Sequence, residues 1–153
     1  INEDTFVIEE TVIKVDIYRG DYLIWEENSL EGCPLIVDGY FYCDDCGLTS
    51  LTGCPIVVTG YFSCSYNSLT SLKYCPVIVG GGFYCHCNYL TDLQYVPKYI
   101  NRDFHCWNNN LTTLKYAPEK VTEYFDCRNN PDLPKEEIES YRNSVSVFGD
   151  FKS

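Results

Sequence analysis

The stretch FSCSYNSLTSLKYCP at residues 62–76 is one unit of a repeat that recurs every 21 residues. It contains one of five pairs in which a phenylalanine stands two residues before a cysteine. The five pairs are Phe41/Cys43, Phe62/Cys64, Phe83/Cys85, Phe104/Cys106 and Phe125/Cys127. A fixed period in the twenties is typical of a solenoid whose coils each hold one short strand and a tight return. We therefore expect a stack of coils.

Other positions of the unit repeat with the same period. Each coil on its own has only one apolar face, so neighbouring coils must stack in order to bury it. The repeating residues are Pro34, Pro55, Pro76, Pro97 and Pro118; Asn67, Asn88, Asn109 and Asn130; Leu48, Leu69, Leu90 and Leu111; and Leu30, Leu51, Leu72, Leu93 and Leu114.

Alternation along the strand predicts which side chains face the core. Phenylalanine and cysteine alternate with polar residues, so both are expected to point inward from a short strand. Strands of successive coils would then lie about 4.8 Å apart in one narrow parallel sheet. The asparagines are expected to turn the chain away from the sheet, with the side-chain amide bonding backbone groups that the turn leaves unpaired.

The repeat unit resembles the leucine-rich repeat family, whose pattern is L-x-x-L-x-L-x-x-N/C-x-L. Phe62 and Cys64 fall on the middle two leucine positions, Asn67 on the asparagine and Leu69 on the last leucine. The Leu-Thr-Ser-Leu run looks like the short repeats of secreted bacterial effectors, and the phenylalanine and cysteine variant looks like uncharacterised repeat proteins of phages and other large viruses. The first family leucine has no fixed counterpart, since its place is taken by Asp38, Thr59, Gly80, Asn101 and Thr122.

This resemblance implies a leucine-rich-repeat solenoid of five 21-residue coils between two caps. We expect an N-terminal β cap at 1–29, repeats at 30–133 and a C-terminal cap at 134–153. In the first cap, β-rich runs at 5–8 and 11–18 are expected to pair, and 22–25 to begin an irregular first coil. In the last cap, Pro134 suits the first position of a short helix through Arg142, and a strand through Val145 and Val147 is expected to follow.

Ten cysteines in 153 residues would ordinarily suggest a disulfide framework. Here the repeat accounts for nine: the strand column, a second column before three prolines (Cys33, Cys54 and Cys75), and Cys46 at the asparagine position. Only Cys87 has no inward place in the pattern. Buried reduced thiols are the favoured interpretation and disulfides the alternative. Localisation is unknown, with an intracellular site slightly favoured by such thiols.

The formal net charge of −11 is unevenly distributed. Residues 1–31 hold nine acids and two bases, whereas 32–131 hold eight and six. The absence of a basic stripe disfavours binding to nucleic acid or to an anionic membrane. The acidic end is interpreted as a solvated cap, with an acidic recognition patch as the alternative. Because the chain has no methionine, we expect that Ile1 is not the first residue of the translated protein.

The side chains that point away from the core are the candidates for function, since those of a solenoid sheet line one continuous concave surface. Tyrosine, tryptophan and histidine predominate there, which is the composition of a protein-binding site. The alternative is that tyrosine merely favours strands. The predicted contacts are Tyr40, Tyr42, Tyr61, Tyr84, His105, Trp107 and Tyr124, with Asp44 and Arg128 setting orientation through charge.

Two function classes follow from these observations. The first is a non-enzymatic module that binds a protein partner, and the resemblance to effector or viral repeats implies a host protein blocked by occlusion. The second is a structural component of a virion or surface assembly, in which copies self-associate. An enzyme ranks third and no cofactor is expected. A metal site or a thiolate–imidazole pair at His86, Cys87, His105 and Asp103 requires the strand to end before position 87, because consecutive strand residues face opposite ways.

Overall fold

The computed structural model describes residues 2–8, 11–25, 27–147 and 150–153, and shows a parallel β-solenoid of about five coils. Each coil contains about 21 residues. In chain order the elements are β1 (Asn2–Ile8), β2 (Thr11–Arg19), β3 (Tyr22–Leu23), β4 (Ile36–Asp38), β5 (Phe41–Tyr42), β6 (Val57–Val58), β7 (Phe62–Ser63), β8 (Ile78–Val79), β9 (Phe83–Tyr84), β10 (Tyr99–Ile100), β11 (Phe104–His105), β12 (Lys120–Val121), β13 (Phe125–Asp126), α1 (Lys135–Ser144), β14 (Ser146–Val147) and β15 (Phe151–Lys152).

Each repeat coil carries two short strands, so the expectation of one strand per coil was wrong. One set forms a seven-stranded sheet in the order β15-β13-β11-β9-β7-β5-β3, which we call the Phe sheet. The other set forms the second sheet, which is divided into β1-β2-β4-β6-β8 and β10-β12-β14. Neighbouring coils pair in parallel and in register, as Phe41 with Phe62 and Val37 with Val58 show.

The second strand supplies an inward apolar residue near the place where the leucine-rich repeat pattern has its first leucine. In each coil a β-branched residue stands one position before the place of the first leucine in the leucine-rich repeat pattern. Such residues favour a strand. Each of these residues is buried. They are Val37, Val58, Val79, Ile100 and Val121.

The core is built on a stack of phenylalanine rings, as the alternation predicted. All five are fully buried, with successive ring centroids 4.9–6.0 Å apart. Tyr22 continues the stack at one end, since its ring lies parallel to that of Phe41 at 5.8 Å. Phe151 continues it beyond Phe125 at 4.9 Å. The segment 22–25, expected to be irregular, therefore begins with a strand in register with the repeats.

The asparagines make the turns that the sequence predicted. Asn67 Nδ2 donates to the carbonyl oxygens of Cys43 and Cys64, at 2.8 and 3.1 Å, and Oδ1 accepts from the N–H of Leu48 at 2.9 Å. In the first coil Cys46 takes the asparagine place, with its Sγ 3.2 Å from the carbonyl oxygen of Asp44. All ten cysteines are free thiols.

A left-handed residue follows the strand turn in every coil and accounts for Cys87. Its φ is 55°, close to those of its counterparts at the same place in the other coils. The side chain is half-buried and accepts a hydrogen bond from Asn108 Nδ2 at 3.3 Å. The five residues are Asp45, Tyr66, Cys87, Asn108 and Asn129.

Elements outside the repeats extend both ends of the stack. β1 and β2 pair antiparallel, and β2 then pairs with β4. At the other end α1 begins at Lys135, with Pro134 as N-cap and not as the first helical residue. Tyr141 on this helix donates from its hydroxyl to the carbonyl oxygen of Pro118 at 2.5 Å.

No helix in the described part of the chain is long and apolar enough to cross a membrane.

Candidate protein-binding face

The predicted contact residues lie together on the outer side of the Phe sheet. Tyr40, Asp44 and Arg128 are exposed. The others are half-buried, because neighbouring side chains on the same face cover part of each ring. These are Tyr42, Tyr61, Tyr84, His105, Trp107 and Tyr124. We call the whole set the aromatic face.

The rings of the aromatic face contact one another from coil to coil. Tyr40 meets Tyr61 edge-on at 5.1 Å, and Tyr61 stacks on Tyr84 at 5.8 Å. Tyr84 contacts His105 at 4.9 Å, and His105 contacts Tyr124 at 5.5 Å. One unbroken row of rings therefore runs along five coils, and each ring is held by its neighbours.

A second row lies beside the first. His86 stacks on Trp107, with ring centroids 4.4 Å apart and planes 14° apart, and lies 6.1 Å from His105. Tyr66 packs edge-on against His86 at 5.2 Å. The sequence did not indicate Tyr66, because a strand pattern gives no direction to a left-handed residue after the strand.

A chain of hydrogen bonds positions His86. Ser63 Oγ donates to Asp44 Oδ1 at 2.6 Å, and Ser63 and Ser65 share a hydrogen bond at 3.2 Å. Ser65 Oγ then lies 3.0 Å from His86 Nδ1. Both serines are buried, so neither hydroxyl is accessible as a nucleophile. Asp44, predicted as an exposed charge, therefore also anchors this chain.

The second predicted charge, Arg128, is already paired. Its Nε and one terminal nitrogen donate to the two carboxylate oxygens of Asp126 at 2.9 and 2.7 Å. Burial alone would raise the pKa of Asp126, but the hydrogen bonds from Arg128 dominate and lower it. The C-terminal end of the face therefore presents a neutral pair with accessible guanidinium edges.

His105 of the aromatic face and His86 beside it are both neutral at pH 7, because the pKa of each is lowered. Burial, and after it the neighbouring His105, lower the pKa of His86 to about 4, although Asp126 acts in the opposite direction. Burial also lowers the pKa of His105. The pKa of Tyr84 is raised, mainly by burial and then by Asp103, so its phenol stays protonated. The rings at the centre of the face are thus uncharged at pH 7.

The strand does end before position 87, as the metal or thiolate–imidazole alternative requires, because β9 ends at Tyr84. The side chains themselves are engaged elsewhere. Cys87 is in a turn and bonded to Asn108. His86 stacks on Trp107, and the ring of His105 lies tilted against that of Tyr84. Within the described residues, no group of three or more His, Cys, Asp or Glu side chains could hold a metal ion.

The outer side of the Phe sheet extends further toward the N-terminus than the sequence predicted. Leu23 is in register with Tyr42, and Trp25 follows it toward Asp44. Leu23 and Trp25 stand 19 residues, and not 21, before their counterparts in the first repeat, so the 21-residue period did not reveal them. At the other end, the ammonium group of Lys152 lies 5.0 Å from the ring centroid of Tyr124.

Comparison with known proteins found no matching family model, no matching curated protein and no matching solved structure.

Proposed function

We propose that this protein is a non-enzymatic protein-binding module that captures its partner on the aromatic face. The observation that carries the proposal is the unbroken row of rings from Tyr40 to Tyr124. Tyrosine, tryptophan and arginine are the residues most enriched among those that dominate binding energy. Since the rings pack on a rigid solenoid and on one another, little side-chain entropy remains to be lost on binding.

The resemblance to leucine-rich repeats of effectors and viruses suggests the kind of partner. We propose a host protein whose activity is blocked because the solenoid covers its working surface. Asp44 gives one end of the face a negative charge, while the other end offers the ammonium group of Lys152 and the guanidinium edges of the paired Arg128. This difference between the two ends would set the orientation of the bound partner.

The proposal is tested with a double variant, Tyr84→Ala with Trp107→Ala, beside a matched control. The control is Tyr89→Ala with Tyr99→Ala, which removes two rings that are 56% and 64% exposed and lie outside the aromatic face. Capture from a host lysate is followed by affinity measurement with the purified partner. We expect each face substitution to weaken binding by about 2 kcal/mol or more. Equal affinity of both double variants would refute the assignment of the face.

A second candidate function is a structural component of an assembly, and one observation favours it. The outer side of the second sheet exposes an apolar patch over four coils. Such patches often mark contacts between proteins. The patch consists of Leu35, Ile56, Val77, Ile78 and Tyr99.

Sedimentation over a range of concentrations distinguishes the two candidates. If copies pack through the apolar patch, the wild type associates as its concentration rises, and Ile56→Lys with Ile78→Lys prevents this. A monomer at all concentrations counts against the assembly role. The net charge of −11 opposes association, so the experiment is run at both low and moderate salt.

A further inference from the structure

The N-terminal edge of the Phe sheet is formed by β3. Tyr22 N–H donates to the carbonyl oxygen of Tyr40 at 2.7 Å, and Ile24 N–H donates to that of Tyr42 at 2.8 Å. Successive backbone groups of a strand face opposite edges, so the N–H and C=O of Leu23 face away from β5. Among the described residues β3 is the last strand of this sheet. The edge therefore presents a donor and an acceptor to an incoming strand.

Apolar side chains surround these backbone groups. Leu23 is 43% exposed and Trp25 is 74% exposed. On the inner side Tyr22 and Ile24 pack against the core but remain half-buried, so the end of the core is incompletely covered. A shallow cleft of about 180 Å³ beside the strand is lined by Leu23, Ile24, Trp25, Tyr42 and Asp44.

The surroundings of this edge are acidic. Residues 14–25 and 27–45 together carry seven acids and two bases. One of the bases, Arg19, is 3.7 Å from Asp38. Asp21 immediately precedes β3, and Asp44 lines the cleft. The pKa of Tyr22 is raised by burial and then by the nearby Cys33 and Glu27, which places Glu27 at the same end of the core.

We propose that an extended basic segment of another protein adds to β3 as a further strand of the Phe sheet. Its backbone pairs with Leu23, and its apolar side chains cover Tyr22 and Ile24 on the inner side. Its lysine or arginine side chains reach the carboxylates around the edge. Main-chain pairing supplies affinity in this mode of recognition, and alternate side chains supply specificity.

This site differs from that of the proposed function, although the two adjoin. Tyr42 and Asp44 line the cleft and also belong to the aromatic face, whereas Tyr84 and Trp107 do not line it. The double variant Tyr84→Ala with Trp107→Ala is therefore expected to keep binding at the edge. Failure of one proposal can be distinguished from failure of the other.

The probe is a synthetic octapeptide of alternating valine and lysine, with valine and glutamate alternating in a matched control peptide. The chain has two tryptophans, so Trp107→Phe leaves Trp25 as the sole tryptophan, whose emission is followed. We expect saturable binding of the lysine peptide with a blue shift of Trp25 emission, weaker binding at high salt, and none for the glutamate peptide. No saturable binding, or equal binding of both peptides, would overturn the proposal.

Two substitutions at Leu23 separate backbone pairing from side-chain contact. Leu23→Pro removes the outward N–H but leaves the bonds donated by Tyr22 and Ile24, so the fold should be kept, which circular dichroism verifies. Leu23→Ala removes only the side chain. We expect Leu23→Pro to weaken peptide binding about tenfold beyond the loss seen in Leu23→Ala. Equal affinity of these two variants would show that the peptide does not pair with the edge.

Discussion

Asn109 bonds to Leu90 on the preceding coil: its Oδ1 accepts the backbone N–H of Leu90 at 3.0 Å. The Nδ2 group of the same side chain donates to the carbonyl oxygens of Cys85 and Cys106, both at 3.1 Å. One buried amide therefore joins backbone groups of two coils. Asn67, Asn88 and Asn130 occupy the same position in other coils and make corresponding bonds.

Asn109→Ala is expected to lower the free energy of unfolding by about 3 kcal/mol. The alanine leaves one backbone N–H and two carbonyl oxygens buried without these partners, and each unsatisfied group costs about 1–3 kcal/mol. Urea unfolding measures the change. Asn110→Ala is the control, since Asn110 is exposed and its substitution should cost less than about 0.5 kcal/mol. Similar losses in the two variants would mean that the asparagine is not what holds the turn.

Phe83→Ala is expected to cost about 3–5 kcal/mol, because it opens a cavity between fully packed rings. The Phe83 ring is fully buried, 4.9 Å from that of Phe62 and 5.8 Å from that of Phe104. The control is Tyr99→Ala, whose ring lies mostly in solvent on the second sheet. Thermal and urea unfolding give both values. Tolerance of Phe83→Ala would contradict the central place of this ring in the stack.

Much of the repeat architecture could be predicted from the sequence because two periods agree. A spacing of 21 residues aligns equivalent positions on neighbouring coils, and alternation within a strand selects Phe83 and Cys85 as inward residues. The second strand was not predicted, since Ile78–Val79 is too short for alternation to be visible. Tyr22 and Phe151 were also missed, because neither stands 21 residues from the nearest phenylalanine of the stack.

Alternation along the strands predicted which residues of the aromatic face point outward. It did not predict which of their side chains contact one another. That His86 stacks on Trp107 depends on side-chain rotation, which a pattern of residue types does not contain. The hydrogen-bonded chain from Asp44 to His86 crosses three coils through Ser63 and Ser65, two residue types that fit equally well on a solvated face. The sequence therefore did not indicate that Ser63 and Ser65 are buried.

Gly32 and Gly53 occupy equivalent positions with φ of 87° and 91°, yet we expect different costs on substitution by alanine. A Cβ at Gly32 would meet nothing within 4 Å, whereas a Cβ at Gly53 would lie 2.5 Å from the carbonyl oxygen of Leu30. Gly32→Ala should therefore cost only the backbone strain, about 1 kcal/mol. Gly53→Ala should cost about 1–3 kcal/mol more, through the clash. Equal unfolding free energies of the two variants would show that the coils relax freely here.

The stability of the protein should fall as the pH decreases from 6.5 to 4, in part because of His86. Its folded pKa of about 4 is lower than the ordinary value of 6.5, owing to burial and to His105. As the pH falls, His86 is therefore protonated in the unfolded chain before it is protonated in the folded protein. The stabilisation that this difference gives is complete above pH 6.5 and is lost as the pH falls toward 4. Because His86 is only half-buried, solvent screening limits this loss to about 1–2 kcal/mol.

His86→Gln isolates this contribution, since glutamine keeps a polar group near Ser65 but does not titrate. Two other groups influence the pKa of His86. The ring of His105 lies 6.1 Å from that of His86 and lowers this pKa, whereas Asp126 raises it. Both remain in the variant, so the difference between the two pH profiles reports His86. Urea unfolding at pH 4, 5, 6 and 7 should show a steeper decline for the wild type. Parallel profiles would mean that His86 is already protonated in the folded protein near pH 6.5, and that its contact with Trp107 accommodates the charge.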